Sequence, residues 1–141
     1  MQFSENLQDL LLTHGLNAEN LAKNINIKSS RISEWLRNVY YPSIEHAKII
    51  ADFFNCSLDY LFGISEDKQK STTNNNMPFY ETLLTLLKSK NMTNYKLCKL
   101  AKISQSNNTK WRNGTIPDIK IWLKIVKGLD CSLDYLIGCT K

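Results

Sequence analysis

The 141-residue sequence predicts an all-α protein made of two tandem five-helix domains joined by a polar linker. Three observations carry that reading. Apolar residues recur at spacings of three and four along most of the chain, the period of an amphipathic helix. The pattern of residues 1–63 returns in residues 77–141, at an offset of 76 until a one-residue deletion shortens it. Between the copies, residues 64–76 read ISEDKQKSTTNNN, polar and without an apolar period, which is a linker.

In the first copy, Phe3, Leu7, Leu10 and Leu11 form the buried stripe of a first helix over 3–14. Gly15 is placed to end it, where only glycine avoids the steric cost. His14 in its last turn and His46 further on are read as solvated side chains. Leu21, Ala22 and Ile25 then mark one face of a second helix, and Ile32 with Trp35 mark a third. Asn26 breaks the two apart, a residue that tolerates the left-handed conformation of a sharp turn. Two short helices at a steep angle, the second polar along its outer face, make a helix-turn-helix. Pro42 keeps Tyr41 extended in the loop that follows, where Tyr40 and Tyr41 either pack or contact a partner's backbone. Ser43 reads as the N-cap of a fourth helix with Ile44, Ala47, Ile50, Ala51 and Phe54 inward. Ser57 caps a short fifth helix over 58–62, ended by Gly63.

The second copy repeats each element. Phe79, Leu83, Leu86 and Leu87 form its first helix, and Leu97, Ile103 and Trp111 restate Leu21, Ile27 and Trp35. Pro117 restates Pro42, and Ile119, Trp122, Ile125, Val126 and Leu129 restate the fourth helix. The stretch from Cys131 to Gly138 closes the copy almost letter for letter. Two substitutions stand out: Lys102 replaces the turn residue Asn26, and Asn108 stands where Ile32 is expected to be buried. An unpaired buried amide costs about 1–3 kcal/mol, so Asn108 is expected to bond locally or to reach solvent.

Composition narrows the function. With 43% hydrophobic residues the chain folds, yet no apolar run approaches the roughly 18 residues of a membrane span. The N-terminus lacks the layout of a secretory signal, so a cytoplasmic protein is expected. Cys56, Cys98, Cys131 and Cys139 show no metal-ligand spacing and read as small buried hydrophobes in a reducing compartment. The net charge of +5 hides an asymmetry, −2 in residues 1–63 against +7 in residues 77–141. A basic second half points to a polyanion as its partner.

Both copies resemble the lambda-repressor-like, Cro/repressor (XRE-type) helix-turn-helix family. The first matches through Leu21-Ala22, Ile27, Ile32-Ser33, Trp35, Pro42 and the run from Ser57 to Gly63. The second matches through Leu97, Ile103-Ser104, Trp111, Gly114, Pro117 and the run from Ser132 to Gly138. The resemblance implies double-stranded DNA as partner, with the third helix of each module as the reading helix. It places the DNA-facing positions at Lys28, Ser29, Ser30, Arg31 and Arg37 in the first copy. In the second they fall at Gln105, Ser106, Asn107, Lys110, Arg112 and Asn113. Family members carry a glutamine in the helix before the turn that touches phosphate and braces the reading helix. Here that position is Ala18 in the first copy and Asn94 in the second. Gln105 can pair with adenine and Lys110 with guanine, or Lys110 can join Arg112 and Asn113 at the end of the reading helix, where family members grip phosphate; Glu34, the counterpart of Lys110, accepts only from cytosine and repels phosphate. The second module is therefore expected to be the main DNA reader.

These residues fit three function classes to different degrees. A sequence-specific DNA-binding transcriptional regulator of phage-repressor type ranks first. A protein-interaction or antitoxin-like module that has lost DNA binding is the alternative, favoured for the first copy by Ala18, Glu34 and its charge. An enzyme ranks last, because no catalytic constellation, Gly-rich phosphate loop or metal spacing occurs; no cofactor is expected. The lysines Lys88, Lys90, Lys96, Lys99 and Lys102 form either a solvated face or part of the DNA surface. Ile49 and Phe53 point away from the fourth helix's buried arc and mark a contact surface, matched in the second copy by Ile121. Gly128 is expected to let another helix come close there. The 13-residue linker spans about 20 Å as a coil and about 43 Å extended, against half-sites about 34 Å apart. Either an intramolecular pseudo-dimer or a homodimer is compatible with that reach.

Overall fold

The computed structural model describes residues 2–69 and 79–137, apart from the side chain of Ile137. The later part of the expected linker and the closing Gly138 and Cys139 lie outside the described residues. Two compact units divide the chain, residues 1–70 and 71–141. Among the described residues each holds five α-helices, and no strand occurs.

Module one contains α1 (Gln2–Thr13), α2 (Ala18–Ile25), α3 (Ser29–Leu36), α4 (Ile44–Phe54) and α5 (Leu58–Leu61). The stripe of Phe3, Leu7, Leu10 and Leu11 is buried as its spacing requires. Gly15, past the end of α1, sits at φ +65°, where a Cβ would be strained. A capping box starts α2: Asn20 N–H donates to Asn17 Oδ1 at 2.8 Å, and Asn17 N–H to Asn20 Oδ1 at 3.2 Å. Asn26 ends it in the left-handed region at φ 56°, which turns the chain sharply into α3. Ile32 and Trp35 of α3 reach the centre of the module, both fully buried. There the Phe3 ring meets Trp35 edge-on at 6.4 Å and stacks on Phe62 at 5.1 Å. The Ser43 hydroxyl caps α4 by accepting from His46 N–H at 3.2 Å. Buried Asn6 closes α5, its Nδ2 donating to the Tyr60 carbonyl at 2.6 Å and so satisfying a helix-end acceptor.

Two expectations change here. His46 is half-buried rather than solvated, its ring tilted 5.7 Å from Trp35, because α4 packs its first turn onto the third helix. Residues 64–69, read as the start of the linker, fold back onto α5. Ser57 N–H donates to the Lys68 carbonyl at 3.0 Å, Ser57 Oγ to the Asp67 carbonyl at 3.0 Å, and Lys68 Nζ lies 5.1 Å over the Tyr60 ring. Backbone bonding and a cation over an aromatic ring hold this stretch without any apolar period in it.

Module two contains α6 (Phe79–Ser89), α7 (Asn94–Ala101), α8 (Ser106–Arg112), α9 (Ile119–Leu129) and α10 (Leu133–Ile137). Its core redistributes volume. Trp122 fills the place of Ala47, and the Phe79 ring packs edge-on against Trp122 at 4.5 Å and Trp111 at 5.5 Å. The caps change identity and keep geometry: Asn91 takes the left-handed role of Gly15, and Lys102 that of Asn26, at φ 56° and 57°. Asp118 replaces Ser43, accepting from Ile121 N–H at 3.0 Å. Among the described residues no helix is long and apolar enough to cross a membrane, and no group of three His, Cys, Asp or Glu could hold a metal.

Candidate nucleic-acid interface

In each module the second helix of the turn buries one face and leaves the other outward. On α3 the inward face is Ile32 and Trp35, and Ser29, Ser30 and Arg31 are exposed, as are Lys28 before the helix and Arg37 after it. Glu34 shares α3 and is half-exposed, so module one sets one carboxylate among the three cations Lys28, Arg31 and Arg37. Ala18, half-buried at the first position of α2, offers no polar atom toward α3.

Module two builds the same face with different chemistry. Gln105, Ser106 and Lys110 are exposed on or beside α8, and Arg112 and Asn113 are exposed at its end. No acid lies in α8 or in the residues flanking it. A surface phosphate would therefore meet donors and cations only. The loop before α8 is stitched by short bonds. Ser104 Oγ and Ser106 Oγ pair at 2.8 Å, and Asn107 Nδ2 donates to the Ser104 carbonyl at 3.1 Å. Asn107 is half-buried, so its amide shapes the entry to the helix and presents less to a ligand than Gln105 does.

Asn108 resolves as a local pair. Asn94 Nδ2 donates to Asn108 Oδ1, which ties the first residue of α7 to the inward side of α8. Cys98 Sγ lies 3.7 Å from Asn94 Oδ1 on the same helix, and burial pushes the Cys98 thiol pKa up. An amide pair thus does in module two what apolar contact of Ile32 does in module one, and it leaves α8 held at its middle.

Sequence reading passed over one exposed aromatic. Tyr95 in the first turn of α7 is exposed, with Lys99 Nζ 5.6 Å over its ring. Its signal was an aromatic off the Leu97–Cys98 stripe, which had no role in the core.

The expected contact face is exposed in module one, where Ile49 and Phe53 lie open on α4. Ile121 is half-buried. A Cβ built at Gly128 would lie 3.4 Å from Leu97 Cδ1 and 3.5 Å from Ala101 Cβ, ordinary contact distances, so α7 of the same module passes close beside this glycine.

Comparison with known proteins bears on both modules. A model of the helix-turn-helix family matches residues 7–61 and again residues 83–136. The chain is also similar to the HTH-type transcriptional activator BcrR of Enterococcus faecalis, 30% identical over 96 residues. That match covers 68% of this chain and 39% of BcrR, so the chain spans about two fifths of its relative's length. No solved structure matches the chain. The chain belongs to the XRE-type helix-turn-helix family, in two tandem copies.

Proposed function

We propose that this helix-turn-helix family member is a sequence-specific DNA-binding transcriptional regulator in which the second module makes the larger share of the contacts, by binding and without a catalytic step. Membership of a DNA-binding regulator family and similarity to a protein named as a transcriptional activator support the regulator reading. The observation that carries the finer part is α8 itself, an acid-free helix with exposed Gln105 and Lys110, tied to α7 through Asn94 and Asn108. Gln105 lies at the helix start, suited to a bidentate pair with adenine in the major groove. Lys110, Arg112 and Asn113 are suited to the flanking phosphates, and such contacts fix register while base contacts select sequence. Operator occupancy would then regulate by blocking or recruiting polymerase. Two reading helices in one chain meet the need of a two-part operator, with the second half-site read either by the same chain or by a second copy. The carboxylate of Glu34 and the missing amide at Ala18 favour a further reading for module one alone, as a protein-interaction module that has given up DNA contacts.

The test is a binding titration of the full chain over a range of salt. Lys110→Ala is expected to weaken all sequences and to reduce the log–log salt slope by about 0.9, the loss of one phosphate contact. Gln105→Ala is expected to leave the slope alone and to relax preference at one base pair, a change of about 1–3 kcal/mol. A Gln105→Ala variant that weakens every sequence equally removes its reading role.

A further inference from the structure

Positions matched by the internal repeat differ in charge and size on the outer side of the fourth helix of each module. In module one α4 leaves Ile49 40% and Phe53 39% exposed. Alongside them α4 carries Glu45 and Asp52 against the one cation Lys48. The four places held there by Glu45, Ile49, Asp52 and Phe53 are Lys120, Lys124, Lys127 and Gly128 in α9, a helix with no acid. With no side chain at Gly128, an open groove of about 480 Å³ runs between α7 and α9. Its apolar lining is Leu100, 57% exposed, with Ala101 and Gly128, and Lys102, Lys124 and Lys127 border it as a charged rim. One module therefore presents an apolar ridge beside carboxylates, and the other an apolar groove beside ammonium groups.

We infer that two copies of this chain exchange these surfaces. The Ile49–Phe53 ridge of module one in each copy seats in the Leu100–Gly128 groove of module two in the other. Exchange takes both apolar surfaces out of water, Leu100 as well as Phe53. A symmetric pairing of α4 with α4 covers the ridge and leaves Leu100 wet, and α9 against α9 sets three lysines facing three. Opposite charge on ridge and rim steers the encounter and selects against the like-with-like pairings. When each copy both gives its ridge and takes its partner's, the pair is two-fold and neither surface is left to extend a filament. This assembly forms without DNA and stands apart from the regulatory reading.

The experiment is sedimentation of the full chain in the absence of DNA, with circular dichroism to verify that each variant keeps its helices. Wild type is expected at twice the 16.3 kDa chain mass. Ile49→Lys places on the ridge the residue that module two already carries at that point of the same fold, and is expected to give monomer. Phe53→Asp is a second ridge variant, used if the first loses helix. Lys124→Glu combined with Lys127→Glu leaves the ridge intact, reverses the groove rim, and is expected to give monomer too. An equimolar mixture of the ridge variant and the rim variant retains one intact ridge and one intact groove, and is expected to recover a one-to-one dimer. Monomeric wild type overturns the inference, since it leaves the surfaces unpaired or paired within one chain. A rim variant that stays dimeric overturns it in favour of a symmetric α4 contact, and a mixture that stays monomeric overturns the exchange.

Discussion

Module one and module two follow the same order of five helices and diverge in how the space between them is filled. Around the first helix, module one stacks Phe3 on Phe62 and leaves Ala47 small. Module two instead brings Trp122 against Phe79 at 4.5 Å. Large and small residues trade places, and the apolar pattern survives, which is what a close-packed core tolerates. The reading helix shows a sharper divergence. Fully buried Ile32 anchors α3 by packing, while Asn108 anchors α8 through the amide of Asn94. Packing can be kept with any neighbour of the right volume, whereas an amide pair requires both members. The fold is thus insensitive to the first kind of exchange and exposed to the second.

The largest effect should come from moving the polar anchor into the wrong module. Ile32→Asn removes a fully buried apolar side chain, at about 2–5 kcal/mol, and leaves an amide with no partner at Ala18. We expect module one to lose about 3–5 kcal/mol in denaturant unfolding, with Ala18→Asn in the same chain restoring about 1 kcal/mol. The reverse change, Asn108→Ile, should cost far less, because half-exposed Asn94 can turn to water. Equal losses in the two modules would break the comparison.

Next in size is the difference in DNA affinity. Isolated residues 77–141 should bind mixed-sequence DNA at least ten-fold more tightly than isolated residues 1–70 at the same salt, about 1.4 kcal/mol or more, because phosphate contacts dominate such binding. Glu34→Lys in the full chain sharpens the point. If the carboxylate is what silences α3, that change should raise affinity and steepen the salt slope.

Helix caps give a smaller effect of similar size in both modules. Ser43→Ala and Asp118→Ala should each cost about 1 kcal/mol, since the two side chains accept the equivalent helix N–H at 3.2 and 3.0 Å. The smallest effect concerns the thiol of Cys98. Burial raises its pKa, so the thiolate is disfavoured at neutral pH, and alkylation should lag behind that of half-exposed Cys131 until the pH rises well past the usual thiol range. The stability linked to that shift is present below the unfolded thiol's pKa and fades as pH climbs through the folded value.

Much of this plan was legible in the residues. Spacing placed Phe3, Leu7, Leu21, Trp35 and Trp111 inward, and each is buried. Turn chemistry marked Gly15 and Asn26, and both take the left-handed backbone. What escaped depended on partners far away in the chain. His46 looks polar until α4 sets it against Trp35. Residues 64–69 carry no apolar period because backbone carbonyls, which the sequence does not display, hold them to Ser57. Ser29, Ser30, Gln105 and Lys110 are exposed on or beside α3 and α8, and what they touch there depends on a partner that the sequence does not contain.

The docked stretch after α5 has a consequence for avidity. With residues up to Gln69 held against module one, Gln69 and Phe79 are ten Cα steps apart along the chain and can stand no more than about 33–36 Å apart. If both modules bind DNA, as the proposed two-part operator requires, whichever binds first confines its sibling to a small volume, and effective concentration there falls roughly as the −3/2 power of tether length. Taking six residues out of play therefore raises the local concentration of the second reader and caps the distance at which two sites can be held together. Ser57, by fastening that stretch, would then limit the span of a two-part operator as well as capping a helix.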